Sequence, residues 1–195
     1  MAQAQEFRYR AFLSLMQRMR VPLGFLLTPV MLLAARPTSI SVVLGMGVAT
    51  LGLALRAWAS GHLRKNEDLT VSGPYKYTRN PLYLGTFILG TGISISSGVF
   101  WLVVLFVVLY LIVYVPVMIA EARTMRNLFP DRYDAYSKRV PLFVPRVFPG
   151  RSSGSAEGLR KFDRSLYIKH REYRASLGAL AVLLLLVLKE YLWTA

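Results

Sequence analysis

The chain has 195 residues, a formal net charge of +14 and no cysteine, and 54% of its residues are hydrophobic. This length fits one domain, and the lack of cysteine excludes disulfides, thiolate metal ligands and a cysteine nucleophile. The two histidines, His62 and His170, are far apart in the sequence, so we expect no metal site. Long apolar runs at this composition predict an all-α, polytopic integral membrane protein, a helical bundle of about five transmembrane helices.

The predicted elements begin with a basic, amphipathic segment at residues 1–20, which resembles a helix lying on the membrane surface; a frayed terminus is the alternative. Five apolar runs follow as predicted spans, at residues 21–35, 40–59, 82–96, 99–120 and 176–192. Three glycines in the second run, Gly45, Gly47 and Gly52, predict close helix packing. A Gly/Ser-rich linker at residues 150–158 precedes a basic segment and the last run.

Lysine and arginine are concentrated in three segments, at residues 1–20, 61–81 and 121–174. With five spans and the N-terminus inside, all three segments fall on the cytoplasmic side. We therefore predict that the loop 61–81 and the segment after the fourth span build one cytoplasmic site. Because the charges lie beside apolar runs, they indicate contact with membrane lipids and no nucleic-acid partner.

The most informative stretch is G-P-Y-K-Y-T-R-N-P-L-Y-L-G, residues 73–85, which we call the signature segment. Pro81 suits the first turn of a helix and keeps Asn80 outside it. A helix N-terminus presents free N–H groups and a partial positive charge, so this one could hold a carboxylate or phosphate. Basic and aromatic residues beside a span are, alternatively, ordinary interfacial anchors.

A second pattern follows the fourth span. Glu121 lies at the mouth of that span, where a carboxylate is costly unless it faces water, a partner or a ligand. The rest of the pattern is, in order, Phe129, Tyr133, Tyr136, Arg139, Val140, Pro141 and Pro145. Near the end of the second span, Arg56 is either an interfacial cation with Trp58 as a belt residue or part of a polar cavity.

In order and spacing, these patterns resemble the isoprenylcysteine carboxyl methyltransferase family and its phospholipid methyltransferase relatives, over about residues 56–148. The resemblance implies a membrane-embedded methyltransferase with S-adenosyl-L-methionine as cofactor, which carboxyl-methylates a lipid-like or prenylated substrate. Together with the apolar runs and the linker, this predicts three units along the chain. Residues 1–60 form an N-terminal segment and hairpin, residues 61–149 the catalytic core, and residues 150–195 the linker, basic segment and C-terminal helix.

The resemblance also suggests residue roles. Arg79 and Glu121 are the expected catalytic residues. The expected cofactor contacts are Tyr75, Arg79, Asn80, Pro81, Tyr83, Gly85, Glu121, Tyr133 and Tyr136. The expected substrate contacts are Arg56, Trp58 and Arg139, because a cationic site attracts an acidic head group. The sequence departs from the family pattern at Asn80, where His is usual, and at Ala122, where a second acidic residue is usual.

Three alternatives stay open. A phospholipid N-methyltransferase would need a base or water path to remove a proton from its amine. A sterol-type reductase would need an NADPH pocket and a proton donor. A relative without catalytic activity would bind lipid only, and Asn80 and Ala122 are the features that favour it. The sequence does not indicate an oligomeric state.

Overall fold

The computed structural model describes residues 24, 27–64, 68–148 and 161–194. Every regular element in this part of the chain is helical, as predicted. We label the helical residues 27–34 as α1. The others are α2 (Ser39–Ser60), a 3₁₀ turn (Gly73–Lys76), α3 (Pro81–Ser96), α4 (Phe100–Leu128), α5 (Pro130–Ser137), α6 (Arg164–Lys169) and α7 (Tyr173–Thr194). The predicted surface segment 1–20 and linker 150–158 lie outside the described residues.

Three of the described helices are long and apolar enough to cross a membrane, at Ser39–Ser60, Phe100–Leu128 and Tyr173–Leu192. They make the chain an integral membrane protein. α3 is also apolar but has 16 residues, about 24 Å at 1.5 Å per residue against a hydrocarbon core of about 30 Å. The count of five spans stays a prediction, since α1 is described only in part.

Local sequence explains where the helices begin and end. Thr38 and Ser41 form a reciprocal capping box at the start of α2, and Pro81 and Pro130 open α3 and α5. α4 extends beyond the predicted end of the span at residue 120 and reaches Leu128, because neither proline nor glycine occurs between residue 120 and Pro130. Glu121 therefore lies inside a continuous helix rather than in a loop.

α2 and α3 run antiparallel and pack backbone against backbone. A Cβ atom added at Gly52 would lie 2.4 Å from the backbone nitrogen of Leu89, and one at Gly92 would lie 2.4 Å from that of Ala49. No side chain fits at such distances. Gly47, in contrast, has no atom within 4 Å of an added Cβ, so it does not take part in this packing.

The connections between helices meet at two opposite ends. At one end, the Arg36 N–H donates to the Ser97 carbonyl (2.7 Å), and the Lys189 ammonium donates to the Leu32 carbonyl at the end of α1 (2.7 Å). At the other end, the loop between α2 and α3 contacts the segment that follows α5. The described residues of the basic loop (61–64 and 68–81) and residues 129–148 after α4 thus share one end of the bundle, which we call the signature end.

Candidate functional site

The signature segment is held by residues 140–148, an irregular, non-helical stretch after α5 that we call the strap. The Arg79 N–H donates to the Pro141 carbonyl (2.9 Å), and the Arg146 N–H donates to the Tyr77 carbonyl (3.0 Å). The prolines of the strap exclude a helix there, so its backbone groups are available to bond a neighbour. Two segments far apart in the sequence are thereby fixed in one register.

Side chains of the signature segment reinforce this contact. Thr78 is buried, and its hydroxyl donates to the Phe143 carbonyl (2.9 Å). The Asn80 amide donates to the Leu142 carbonyl (2.9 Å). Asn80, the departure from the family pattern, therefore holds the strap with a group that neither gains nor loses a proton.

Arg79 lies between the signature segment and α5. Its Nη1 donates to the Tyr133 hydroxyl (2.9 Å), and its guanidinium carbon is 5.7 Å from the centroid of that ring. Its Nε is buried and has no hydrogen-bond partner among the described residues. An unpaired buried donor costs about 1–3 kcal/mol, so a ligand with an acceptor group at this point would be favoured.

Tyr83 and Glu121 join α3 to α4. The Tyr83 hydroxyl donates to Glu121 Oε1 (2.6 Å), and the Tyr110 hydroxyl donates to the Tyr83 carbonyl (2.6 Å). The Glu121 carboxylate is half-buried. The Tyr83 hydroxyl supplies one of the hydrogen bonds that this carboxylate can accept. Its second oxygen can accept a further donor.

Two tyrosines close the site on the side of α5. The Tyr136 hydroxyl donates to the Tyr75 carbonyl (2.7 Å), and Tyr75 is buried. Burial raises the pKa of both phenols well above their usual value, and for each the next contribution is a neighbouring tyrosine, Tyr136 for Tyr75 and Tyr133 for Tyr136. Both phenols are therefore neutral at physiological pH and act as hydrogen-bonding groups, not as bases.

A cluster of aromatic rings fills the space between α3, α4 and the strap. Tyr110 stacks on Tyr114 with centroids 4.2 Å apart, and Phe87 lies 5.2 Å from Tyr110 and 5.7 Å from Phe143. Sequence analysis did not assign these rings to the site. The signal was present in the four-residue spacing of Tyr110 and Tyr114, which places both on one face of α4.

Most of this arrangement lies in a segment of the chain that matches a known protein family. Residues 40–132 match the phospholipid methyltransferase family. This match confirms the resemblance that the signature segment shows to phospholipid methyltransferases. An isoprenylcysteine methyltransferase is also among the curated relatives described below. The family match includes Arg79, Tyr83 and Glu121, and ends just before Tyr133. The strap and α7 lie beyond it.

Three curated relatives are 30% identical to the chain over their matched parts. Nickel-cobalt-cadmium resistance protein NccN of Alcaligenes xylosoxydans xylosoxydans matches over 115 residues, 58% of this chain and 52% of the relative. Cobalt-zinc-cadmium resistance protein CzcN of Cupriavidus metallidurans matches over 107 residues, 54% and 48%. Protein-S-isoprenylcysteine O-methyltransferase of Schizosaccharomyces pombe matches over 86 residues, 43% and 36%.

The chain spans about half the length of the first two of these relatives and less of the third. No solved structure gives a significant match to it. Within the described residues, no group of three or more His, Cys, Asp or Glu side chains is placed to hold a metal ion.

Arg56 pairs with a residue beyond the family match. Its guanidinium makes a bidentate ion pair with Glu172, with Nη2 to Oε1 at 3.0 Å and Nε to Oε2 at 3.1 Å, and it also donates to Thr86 on α3. The side chains of Arg56 and Glu172 are 19% and 11% exposed. Sequence analysis placed Glu172 in a basic segment and missed this pairing.

The three predicted substrate residues do not surround one point. Arg56 lies between α2, α3 and the start of α7. Trp58 is 43% exposed, with its ring 6.3 Å from that of Tyr77. Arg139 is exposed after α5, and its carbonyl accepts from the Arg146 guanidinium.

The two remaining predicted cofactor residues are Pro81 and Gly85. Pro81 is buried at the first turn of α3. Gly85 faces α2, where an added Cβ would lie 2.7 Å from Cγ of Arg56. It therefore lies against the neighbouring helix, while Tyr83 on the same helix faces α4.

Proposed function

We propose that this chain is a membrane-embedded methyltransferase that uses S-adenosyl-L-methionine. One observation carries the proposal: the buried, unpartnered Nε of Arg79 lies where the signature segment meets Tyr133. A guanidinium with an unused donor suits the carboxylate of an amino acid. The family match supports the reaction class, and the curated methyltransferase among the relatives supports the same class.

The residues present fit this cofactor. Arg79 would bind its carboxylate, Glu121 would accept from its amine or ribose hydroxyls, and Tyr75, Tyr133 and Tyr136 would bound the remaining volume. When bound, the cofactor supplies a methyl group already activated by a sulfonium. The chain's own residues then need only bind, orient and exclude water, which agrees with a site whose phenols are held neutral.

We propose a carboxylate on a lipid-like or prenylated amphiphile as the methyl acceptor. A carboxylate is ionised at neutral pH, so its methylation needs no base to remove a proton. Arg139 and Trp58 are the proposed substrate contacts on the exposed side. Arg56 could join them only if Glu172 released it, because their bidentate ion pair occupies its guanidinium.

The second candidate is a phospholipid amine N-methyltransferase, which the name of the matched family favours. That reaction would have to remove a proton from the ammonium group, and Glu121, which is bonded to Tyr83 of the signature segment, is a carboxylate that could accept one. In both cases we propose that the signature end faces the cytoplasm, because lysine and arginine are concentrated in the segments that meet there.

The test is ligand-induced stabilisation of the detergent-purified protein. S-adenosylhomocysteine should raise the melting temperature and NADPH should not, because binding to the folded state alone adds RT ln(1 + [L]/Kd) to stability. Arg79→Ala and Glu121→Ala should each weaken binding by roughly 1.5–3 kcal/mol, as expected for lost charge-assisted hydrogen bonds. Lys138→Ala, an exposed cation just after α5, is the matched control and should bind normally. Stabilisation by NADPH alone would favour the reductase.

The acceptor is then identified from the product. Membranes containing the protein are supplied with methyl-labelled S-adenosyl-L-methionine, and the extracted lipids are treated with mild alkali. A methyl ester releases labelled methanol, whereas a methylated amine keeps its label. Label that stays on a phospholipid head group through alkali would rule out the carboxylate and establish the N-methyltransferase.

A further inference from the structure

The strap has two hydrophobic faces with different surroundings. Phe143 points inward and packs in the aromatic cluster, 5.7 Å from the centroid of Phe87. Immediately after it, Val144, Val147 and Phe148 are 72%, 85% and 78% exposed. These exposed apolar side chains lie close together on a segment outside the long helices. Such a patch indicates a surface that lipid or another apolar partner covers.

The position of Phe143 gives the depth of the strap in the bundle. Phe87 is six residues after Pro81, the first residue of α3, so it lies about 9 Å along an apolar helix from its start. Phe143 reaches that level, and the strap leaves it again toward Tyr77, whose carbonyl bonds the Arg146 N–H. Because the Phe143 carbonyl accepts from Thr78, just before α3 begins, residues 144–148 start at the level where that apolar helix begins.

The neighbours of the strap are those expected at a membrane interface. The rings of Trp58 and Tyr77 are 6.3 Å apart, and tryptophan and tyrosine are enriched at the level of the head groups. Arg146 is exposed within the strap and its guanidinium donates to the carbonyl of Arg139, itself exposed. Arginines beside apolar groups at this level can extend to lipid phosphates.

We propose that residues 144–148 form an interfacial wedge, which inserts Val144, Val147 and Phe148 among lipids beside the signature end, while Arg146 binds an anionic head group. The occupant is the anionic lipid of the bilayer interface. The proposal does not depend on the reaction, since it rests on the exposed face of the strap and on its depth. It would place the wedge beside the strap–signature contact, on the bilayer side.

The absence of cysteine makes the wedge directly measurable, because a single introduced thiol is the only labelling site. The protein carries Val147→Cys with an environment-sensitive nitrobenzoxadiazole label and is placed in nanodiscs of phosphatidylcholine with phosphatidylglycerol. Lipids with a doxyl group near the head of the acyl chain should quench this probe roughly twofold or more, as an interfacial side chain requires. Ala135→Cys, on the exposed side of α5, is the control and should be quenched by aqueous iodide instead.

Two results would overturn the wedge. If iodide quenches the probe at residue 147 and doxyl lipids do not, as expected at residue 135, the strap lies in water. A probe shielded from both quenchers places a protein surface, not lipid, over it. The role of Arg146 is tested by Arg146→Gln, which keeps the backbone bond to Tyr77: omission of phosphatidylglycerol should weaken quenching in the parent and not in this variant. Equal lipid dependence in both would refute head-group binding by Arg146.

Discussion

α3 meets its two neighbours in opposite ways. Against α2 it presents glycines, and the two backbones approach until an added Cβ would lie 2.4 Å from the next helix. Against α4 it presents Tyr83 and Phe87, whose rings and hydroxyl contact Tyr110, Tyr114 and Glu121. α3 therefore packs backbone to backbone against α2, without free volume, in a contact that we call the glycine seam. It meets α4 through long side chains.

This difference shows where a ligand can be accommodated. Backbone-to-backbone packing leaves no room, and in lipid it stabilises a helix pair through close van der Waals contact. Long aromatic and polar side chains can change partners at small cost, because their hydroxyls and carboxylates accept equivalent bonds from a ligand. The candidate site accordingly lies on the α4 side of α3, and the α2 side supports it.

The largest expected effect comes from the ion pair at the signature end of the seam. Glu172→Ala would leave Arg56 largely buried without its carboxylate, and breaking such a pair costs about 3–5 kcal/mol when it is fully buried. Because both side chains keep some exposure, we expect about 3 kcal/mol. Denaturant unfolding in detergent, followed by tryptophan fluorescence, measures this loss.

The control for this variant is the double substitution Arg56→Leu with Glu172→Leu. It removes both charges, so it should recover most of the lost stability. A double variant as unstable as Glu172→Ala would mean that the pair contributes through its shape and its bond to Thr86, and not through charge. α7 would then not be attached to the seam by electrostatics.

The glycine seam should give the next effect. Gly52→Ala forces a methyl group against the backbone of Leu89 and Gly85, and overpacking of this kind costs about 1–3 kcal/mol. Gly47→Ala, on the same helix, meets nothing within 4 Å and should be neutral or slightly stabilising. The two melting temperatures in detergent measure the difference, and equal values would mean that the helices are not in backbone contact.

These two glycines also show what the sequence could predict. It predicted close packing by α2 from its glycines but not which of them take part. The structure separates them by helical phase: Gly45 and Gly52 are seven residues apart and share a face, whereas Gly47 points about 200° away from Gly45. A partner helix has to be known before that face can be chosen.

The proximity of several candidate residues was predictable from the order of residue types along the chain, while their roles stay predictions. Arg79, Tyr83, Glu121 and Tyr133 all belong to the two patterns. In the structure Arg79 bonds Tyr133 of α5, and Tyr83 of α3 bonds Glu121 of α4. Glu172 was not predictable, because a lone carboxylate in a basic segment normally faces water and its partner is 116 positions away. Contacts made by tertiary packing between single residues leave no local pattern.

The smallest expected effect is on the α4 side of α3. Tyr83→Phe keeps the ring against Tyr114 (5.5 Å between centroids) and removes only the hydroxyl bonded to Glu121. Since Glu121 is half-buried and water can replace the phenol, we expect a loss of about 1 kcal/mol. A double-mutant cycle with Glu121→Ala, which removes the acceptor, isolates the bond, and its coupling energy should be of that order. A coupling near zero, with both single variants destabilised, would mean that the hydroxyl and the carboxylate act separately, and that the α3–α4 contact is held by its rings alone.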